Sequence, residues 1–409
     1  ALPIFATVRP RSFSDNIAQA AGLDARLLAM LGILVLIWLG FDFLTSGIFL
    51  TARNLFNLSL QVSVVGIMAC GMVLVIVARQ IDLSVGSQLG FIGVFGALLQ
   101  TEILPIADPN TWWLACIAMI VVGTIIGVVQ GVLVAYAGIP SFVVTLGGLL
   151  FFRNAAYQIN EGRTISPLNE TFQLLGGGIN GSIGATWSWV FGIAAIAGVV
   201  LVVLRGRQRR RGHGVAQRTP LTDAITIGVW SALIIAFVMT MNAYQQPKTG
   251  IAMGIPIPVL ILIGVALAMS VIAKKHRFGR HVFAMGGSPE SAELAGIDTR
   301  LLTVKVLALM GFLCGLASIV ITARLNAGAS ATGTMTELNV IAAAVIGGTS
   351  LAGGIGTIYG GILGALIMQS LESGMILMGV PTPMQKMVLA VVLILAVWID
   401  MAYRRRQAT

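Results

Sequence analysis

Two polar runs interrupt long apolar stretches of this chain, and they hold most of what could do chemistry. The first is Arg79-Gln80-Ile81-Asp82-Leu83-Ser84-Val85-Gly86-Ser87, the second Gly347-Gly348-Thr349-Ser350-Leu351-Ala352-Gly353-Gly354-Ile355-Gly356. Non-helical backbone inside a bilayer is tolerated only where protein buries it or water reaches it, because each unpaired amide otherwise costs several kcal/mol. Ionisable groups at that depth are expensive and usually serve transport. The chemistry on offer is hydrogen bonding to a polar solute along a path. Asp82, Ser84, Ser87, Thr349 and Ser350 are its candidates, with Phe142, Gln369 and Glu372 behind them. A structural reading stands beside this one. Asp82 can cap the following helix by accepting from its first amides, and Arg79 can pair with Asp82.

Other chemistries find little support. No His, Asp, Glu or Cys cluster has metal-ligand or catalytic-triad spacing. Cys70, Cys116 and Cys314 sit alone in apolar sequence, as packing residues do. A phosphate-binding P-loop needs Gly-Lys followed by Ser or Thr, yet the lysines follow Pro247, Ala273, Lys274, Val304 and Gln385. The expectation is a chain that is not an enzyme and carries no cofactor or metal.

The elements that position these residues are membrane helices. Of 409 residues, 57% are hydrophobic and 10% charged, and the mean hydropathy of +0.94 leaves too little polar sequence to coat a soluble fold. A span needs about 20 mostly apolar residues. That criterion predicts an all-α, polytopic bundle of about twelve spans near 27–50, 57–78, 84–104, 112–137, 140–159, 187–204, 221–243, 257–273, 301–323, 338–353, 356–379 and 384–403. The segment 1–26 has no signal-peptide pattern and is expected in the cytoplasm. The net charge of +10 lies in short basic clusters between spans, which sets orientation and does not point to nucleic acid. Alternating sides puts every Lys and Arg in the cytoplasm except Arg53, Arg153, Arg163, Lys248, Arg324 and Lys386. Both termini are therefore predicted to be cytoplasmic, with 404–409 a basic tail.

Glycine spacing adds a packing signal. Gly123, Gly127 and Gly131, the set Gly356, Gly360 and Gly364, and the pair Gly311 and Gly315 each put small residues on one helix face. Such stripes let backbones approach closely in lipid, within one chain or between subunits. The loop 274–300 contains a self-sufficient short helix: Ser288 as N-cap, Pro289 in the first turn, Glu290 at the positive end and Gly296 as the stop. Such a short helix cannot stand alone. It must dock on its own bundle or on a cytoplasmic partner.

These segments, with others, resemble a known family. Ile81 to Ser87, Pro140-Ser141-Phe142-Val143-Val144-Thr145-Leu146, Arg277-Phe278-Gly279-Arg280, Ala284-Met285-Gly286-Gly287, Ala292 to Ile297, Val345 to Gly354 and Ala396-Val397-Trp398-Ile399-Asp400 resemble permease subunits of ATP-binding-cassette importers for monosaccharides. The ribose, galactose and xylose branch is meant, its xylose type above all. That type is similar in carrying an extra hairpin, here about 187–243, on a ten-span core; the 27–403 permease domain includes both. The basic turn from Arg205 to Arg218 reads as a topology anchor or as a site for anionic membrane lipid.

The resemblance implies a bacterial inner-membrane protein that passes xylose or a similar pentose from periplasm to cytoplasm. It implies a second permease copy in a homodimer, cytoplasmic ABC ATPase subunits carrying ATP and Mg, and a periplasmic sugar-binding protein. The loop helix would then be the coupling element, with Ser288, Glu290, Glu293, Leu294, Ala295 and Gly296 meeting the ATPase. The alternative is a proton-coupled secondary sugar transporter. That class needs titratable groups in the spans, where Asp42 and Glu372 are the candidates.

Overall fold

The computed structural model describes residues 25–108, 110–178, 181–212, 220–246 and 249–408, and every regular element among them is a helix. The order is α1 (Ala25–Leu44), α2 (Ala52–Val77), α3 (Val85–Leu98) prolonged by a π-helical turn (Leu99–Ile103), α4 (Thr111–Ala135), α5 (Ser141–Ile159) and the short α6 (Glu170–Leu174). Then come α7 (Gly184–Gly212), α8 (Pro220–Ala243), α9 (Ile257–Lys275), α10 (Arg277–Gly287), α11 (Pro289–Leu294), α12 (Thr299–Leu325), α13 (Thr336–Ile346), α14 (Ile358–Leu377) and α15 (Thr382–Ala408).

A helix apolar on all sides belongs in the interior of a bundle, and α2 is such a helix: its most apolar stretch is 94% buried. Around it pack α9, α12, α13 and α14. The corresponding stretches of α1, α5, α7 and α8 are only 11% to 17% buried, so their apolar faces lie on the outside. Side-chain caps start several helices. Thr51, Asp298 and Thr357 accept from the amides of Asn54, Leu301 and Gly360.

Nine helices among the described residues are long and apolar enough to cross a bilayer: α1, α2, α4, α5, α7, α8, α9, α12 and α14. Three of the expected spans fall outside that set. The stretch 84–104 is helical from Val85 to Ile103, as the 14-residue α3 whose last turn widens into a π-helical one. The stretch 338–353 becomes the 11-residue α13, which stops where Gly347 and Gly348 break the helix. The last helix runs over 382–408, and its described apolar part ends at Leu395; residues 404–408 lie within the same helix. The expected N-terminal segment falls almost wholly in 1–24, outside the described residues, as do His213 and Arg218 of the basic turn.

The glycine stripes are used within the chain. Gly123, Gly127 and Gly131 of α4 lie on the backbone of α12, where an added Cβ would sit 2.9 Å from Ala308 Cα at Gly127 and 2.7 Å from Val304 Cα at Gly131. Gly311 and Gly315 answer from α12, and Gly360 and Gly364 lie on the carbonyls of Gly347 and Ala343. The hairpin α7–α8 sits at the edge: Val238 and Met241 of α8 pack on Phe56 and Leu60 of α2 and Val259 of α9, while α7 lies along α8. If backbone contact between α4 and α12 holds the bundle, Gly127→Ala overpacks it by about 1–3 kcal/mol. Gly32→Ala, with nothing within 4 Å of the new Cβ, leaves the thermal midpoint of the purified protein unchanged. Equal midpoints for the two variants would contradict this packing.

Candidate functional site

The first break builds a buried polar network. Asp82, 1% exposed, accepts at Oδ1 from the Ser84 amide (2.9 Å) and hydroxyl (2.6 Å). Ser84 Oγ accepts in turn from Gln88 Nε2 (2.7 Å) and Gln130 Nε2 (2.9 Å), and Gln88 donates to Gln130 Oε1 at 3.1 Å. Ser87 Oγ donates to the Ser84 carbonyl (2.8 Å). Helix α5 closes the turn: Ser141 Oγ accepts from the Ile81 amide (3.2 Å), and Thr145 Oγ1 donates to the Ile81 carbonyl (3.2 Å). Asp82 therefore does not cap α3, whose start carries no side-chain cap; it closes an Asx-type turn on the amide of Ser84, one residue ahead of the helix. Spacing did not single out Gln88 and Gln130; amide side chains inside apolar helices were the available signal.

Arg79 does not pair with Asp82. Its φ of +61° redirects the side chain, and the guanidinium donates to the carbonyls of Gly286 and Gly287, each at 2.7 Å. Those carbonyls end α10, where unpaired oxygens and the negative end of the helix dipole suit a cation.

The second break reaches the same place. The Gly354 amide donates to the Val77 carbonyl at 3.0 Å. Gly353 (φ +86°) and Gly354 (φ +73°) occupy backbone conformations that side chains disfavour. Gly286 sits so close to Val77 O and to Gly354 N that a Cβ has no room, and Gly353 lies on the Arg79 side chain. Thr349 and Ser350 are buried inside this loop. The Thr349 hydroxyl has no partner among the described residues, while the Ser350 amide bonds to the Ile355 carbonyl (2.8 Å). Both breaks and the end of α10 therefore form one junction.

From that junction the chain passes directly into α11. Ser288 accepts from the Ser291 amide (3.2 Å), Ala292 is buried, Glu293 accepts from Thr299 Oγ1 (2.5 Å), and Gly296 has φ of +81°. Glu290, Glu293, Leu294, Ala295 and Gly296 are exposed, Leu294 by 92%. One face of the helix docks on its own bundle. The other face is free in this chain.

Gln369 and Glu372 form a separate cluster. Glu372 Oε1 pairs with Lys386 Nζ (3.0 Å), and Oε2 accepts from Gln369 (3.1 Å) and Asn339 (3.3 Å). Phe142, beside Ser141, is 52% exposed. Asp42 accepts from the Leu50 amide (3.0 Å), holding the end of α1. Two charged groups near the first break had not been singled out: Arg153 donates to the carbonyls of Ser330 and Thr332, and the buried Glu337 lies against Gly86. No group of three His, Cys, Asp or Glu among the described residues is placed to hold a metal ion.

Residues 54–397 match the family model described as branched-chain amino acid transport system / permease component. The chain is 36% identical to the xylose transport system permease protein of Escherichia coli strain K12, over 96% of each chain. It is 38% identical to the Haemophilus influenzae protein of that name over 90% of this chain and 93% of the relative. Against the ribose import permease protein of E. coli K12 identity is 33%, over 86% of this chain and 87% of the relative. No solved structure matches it.

The network makes a test of what Asp82 supplies. Asp82→Ala strands the Ser84 amide and hydroxyl and costs about 1–3 kcal/mol of stability, whereas Asp82→Asn keeps the accepting oxygen and costs less. Thermal unfolding of the purified variants reads the difference, and equal losses would mean that the charge matters more than the turn.

Proposed function

From the premise that the chain belongs to the branched-chain amino acid transport system / permease component family, we propose that it is the membrane subunit of an ATP-driven importer for xylose or a similar pentose. It is a multi-pass inner-membrane permease without an enzyme's active site of its own. The pentose preference rests on the relatives named for xylose, which match over nearly the whole chain. In this reading two copies form the path, with both termini and α11 in the cytoplasm. Twelve crossings result if α3 with its π-helical turn, α13 with the second break, and α15 complete the nine long helices. ATP and Mg reside on a partner ATPase, and a periplasmic binding protein delivers the sugar.

The observation that carries the division of labour is α11. A capped helix of six residues, anchored by Ala292 and presenting a 92% exposed Leu294, suits a groove on a cytoplasmic ATPase. Arg79 then links that helix to the two breaks, so a push on α11 reaches Asp82 and Ser84 on one side and Thr349 and Ser350 on the other. Sugar hydroxyls would meet Ser87, Thr349 and the Gln88–Gln130 pair as the path opens, with Phe142 at its mouth. Proton coupling fits less well, because Asp42 and Glu372 already have structural partners.

Reconstitution with the ATPase and binding protein tests this reading. Xylose uptake should require ATP hydrolysis and be indifferent to a proton gradient; uptake by the lone chain under such a gradient would overturn it. Leu294→Ser should weaken ATPase association by about tenfold, as removal of an interface anchor does, and unchanged association would remove α11 as the contact.

A further inference from the structure

The hairpin α7–α8 is fastened to the core at one end and open at the other. Val238 and Met241, near the end of α8, pack on α2 and on the start of α9. At the opposite end of α8 a cavity of about 770 Å³ separates the hairpin from α9. Val199 and Val203 of α7, Trp230 of α8, and Ile263 and Leu267 of α9 line it. Gly198 and Gly206 widen it, since an added Cβ at either would meet nothing within 4 Å. The volume falls within the roughly 300–1,000 Å³ of small-ligand pockets. Leu267, 65% exposed, puts its rim on the bundle surface that faces the bilayer. Water gains nothing from such walls.

One end of the cavity is charged. Arg207 and Asp223 line it there, at an N–O distance of 4.0 Å that is long for an ion pair. Arg207 Nε is buried and has no hydrogen-bond partner among the described residues. A guanidinium offers a second edge to phosphate. The sequence adds Arg205 before it and Arg209, Arg210 and Arg211 after it, so the positive charge outweighs the single carboxylate. On the orientation argued above, this end meets the cytoplasmic leaflet, which is anionic.

We propose that the cavity between α7, α8 and α9 holds an anionic phospholipid, an acyl chain lying between Val203, Trp230 and Leu267 and the phosphate meeting Arg207. The lipid fills the open end of the hairpin and fastens it to the core there, as Val238 and Met241 do at the other end. Asp223 orients the guanidinium and limits how much negative charge the site accepts.

Native mass spectrometry of the full chain, released from nanodiscs of equal phosphatidylglycerol and phosphatidylethanolamine, tests this. The unmodified protein should retain phosphatidylglycerol preferentially after delipidation. Arg207→Gln should lower that preference about fivefold, the effect of one basic residue at an anionic surface, and Asp223→Asn should raise it. A merely structural ion pair would make both variants behave alike. Gly198→Phe should expel the lipid whatever its headgroup, with Gly206→Leu as the second filling variant should the first not fold. Equal retention of both lipids by the unmodified protein, retention unchanged by filling, or a crosslink placing residues 1–24 in the cavity would each overturn the proposal.

Discussion

The governing constraint is that backbone groups freed where helices break must find partners. Two helices break here, and their loose ends satisfy each other: the Gly354 amide bonds to the Val77 carbonyl, and Arg79 takes the carbonyls of Gly286 and Gly287. This arrangement requires glycine at 286, 353 and 354, either for close approach or for positive φ. It also requires an arginine, because two adjacent carbonyls held by one side chain suit a fork of donors better than a point charge. The central α2 delivers this junction, while α4 and α12 pack on each other through glycine-to-backbone contact.

Helix existence was legible in the sequence, since apolar length alone predicts most spans. So was the cap at Ser288, whose side chain accepts from an amide three residues on; the same signal was available at Thr51 and Asp298 but was not singled out. The length of α13 was less legible, because hydropathy does not register a helix that stops at Gly347 while apolar residues continue. Arg79 was misread for a related reason. Sequence proximity to Asp82 suggested a pair, but the side chain's direction depends on a backbone φ that spacing does not encode.

The candidate path was legible as two breaks, yet not as one network. Asp82, Ser84 and Ser87 come together, and Gln88 and Gln130 join them from α3 and α4. Gln369 and Glu372 serve a different cluster with Lys386. Long-range pairing of this kind depends on which helix faces meet, and a single sequence states faces but not their partners. The meeting of the breaks with the end of α10 was illegible for the same reason, although it joins the two features that the sequence did single out.

The central claim is that the Arg79 junction carries motion between α11 and the polar breaks. The direct measurement is paired sugar-stimulated ATPase and xylose uptake by the reconstituted complex carrying Arg79→Gln. The account predicts that hydrolysis persists while uptake falls by about tenfold or more, a coupling loss of the size that linked sites show. Uptake and hydrolysis that stay at the unmodified level, or that fall in equal proportion, would contradict it.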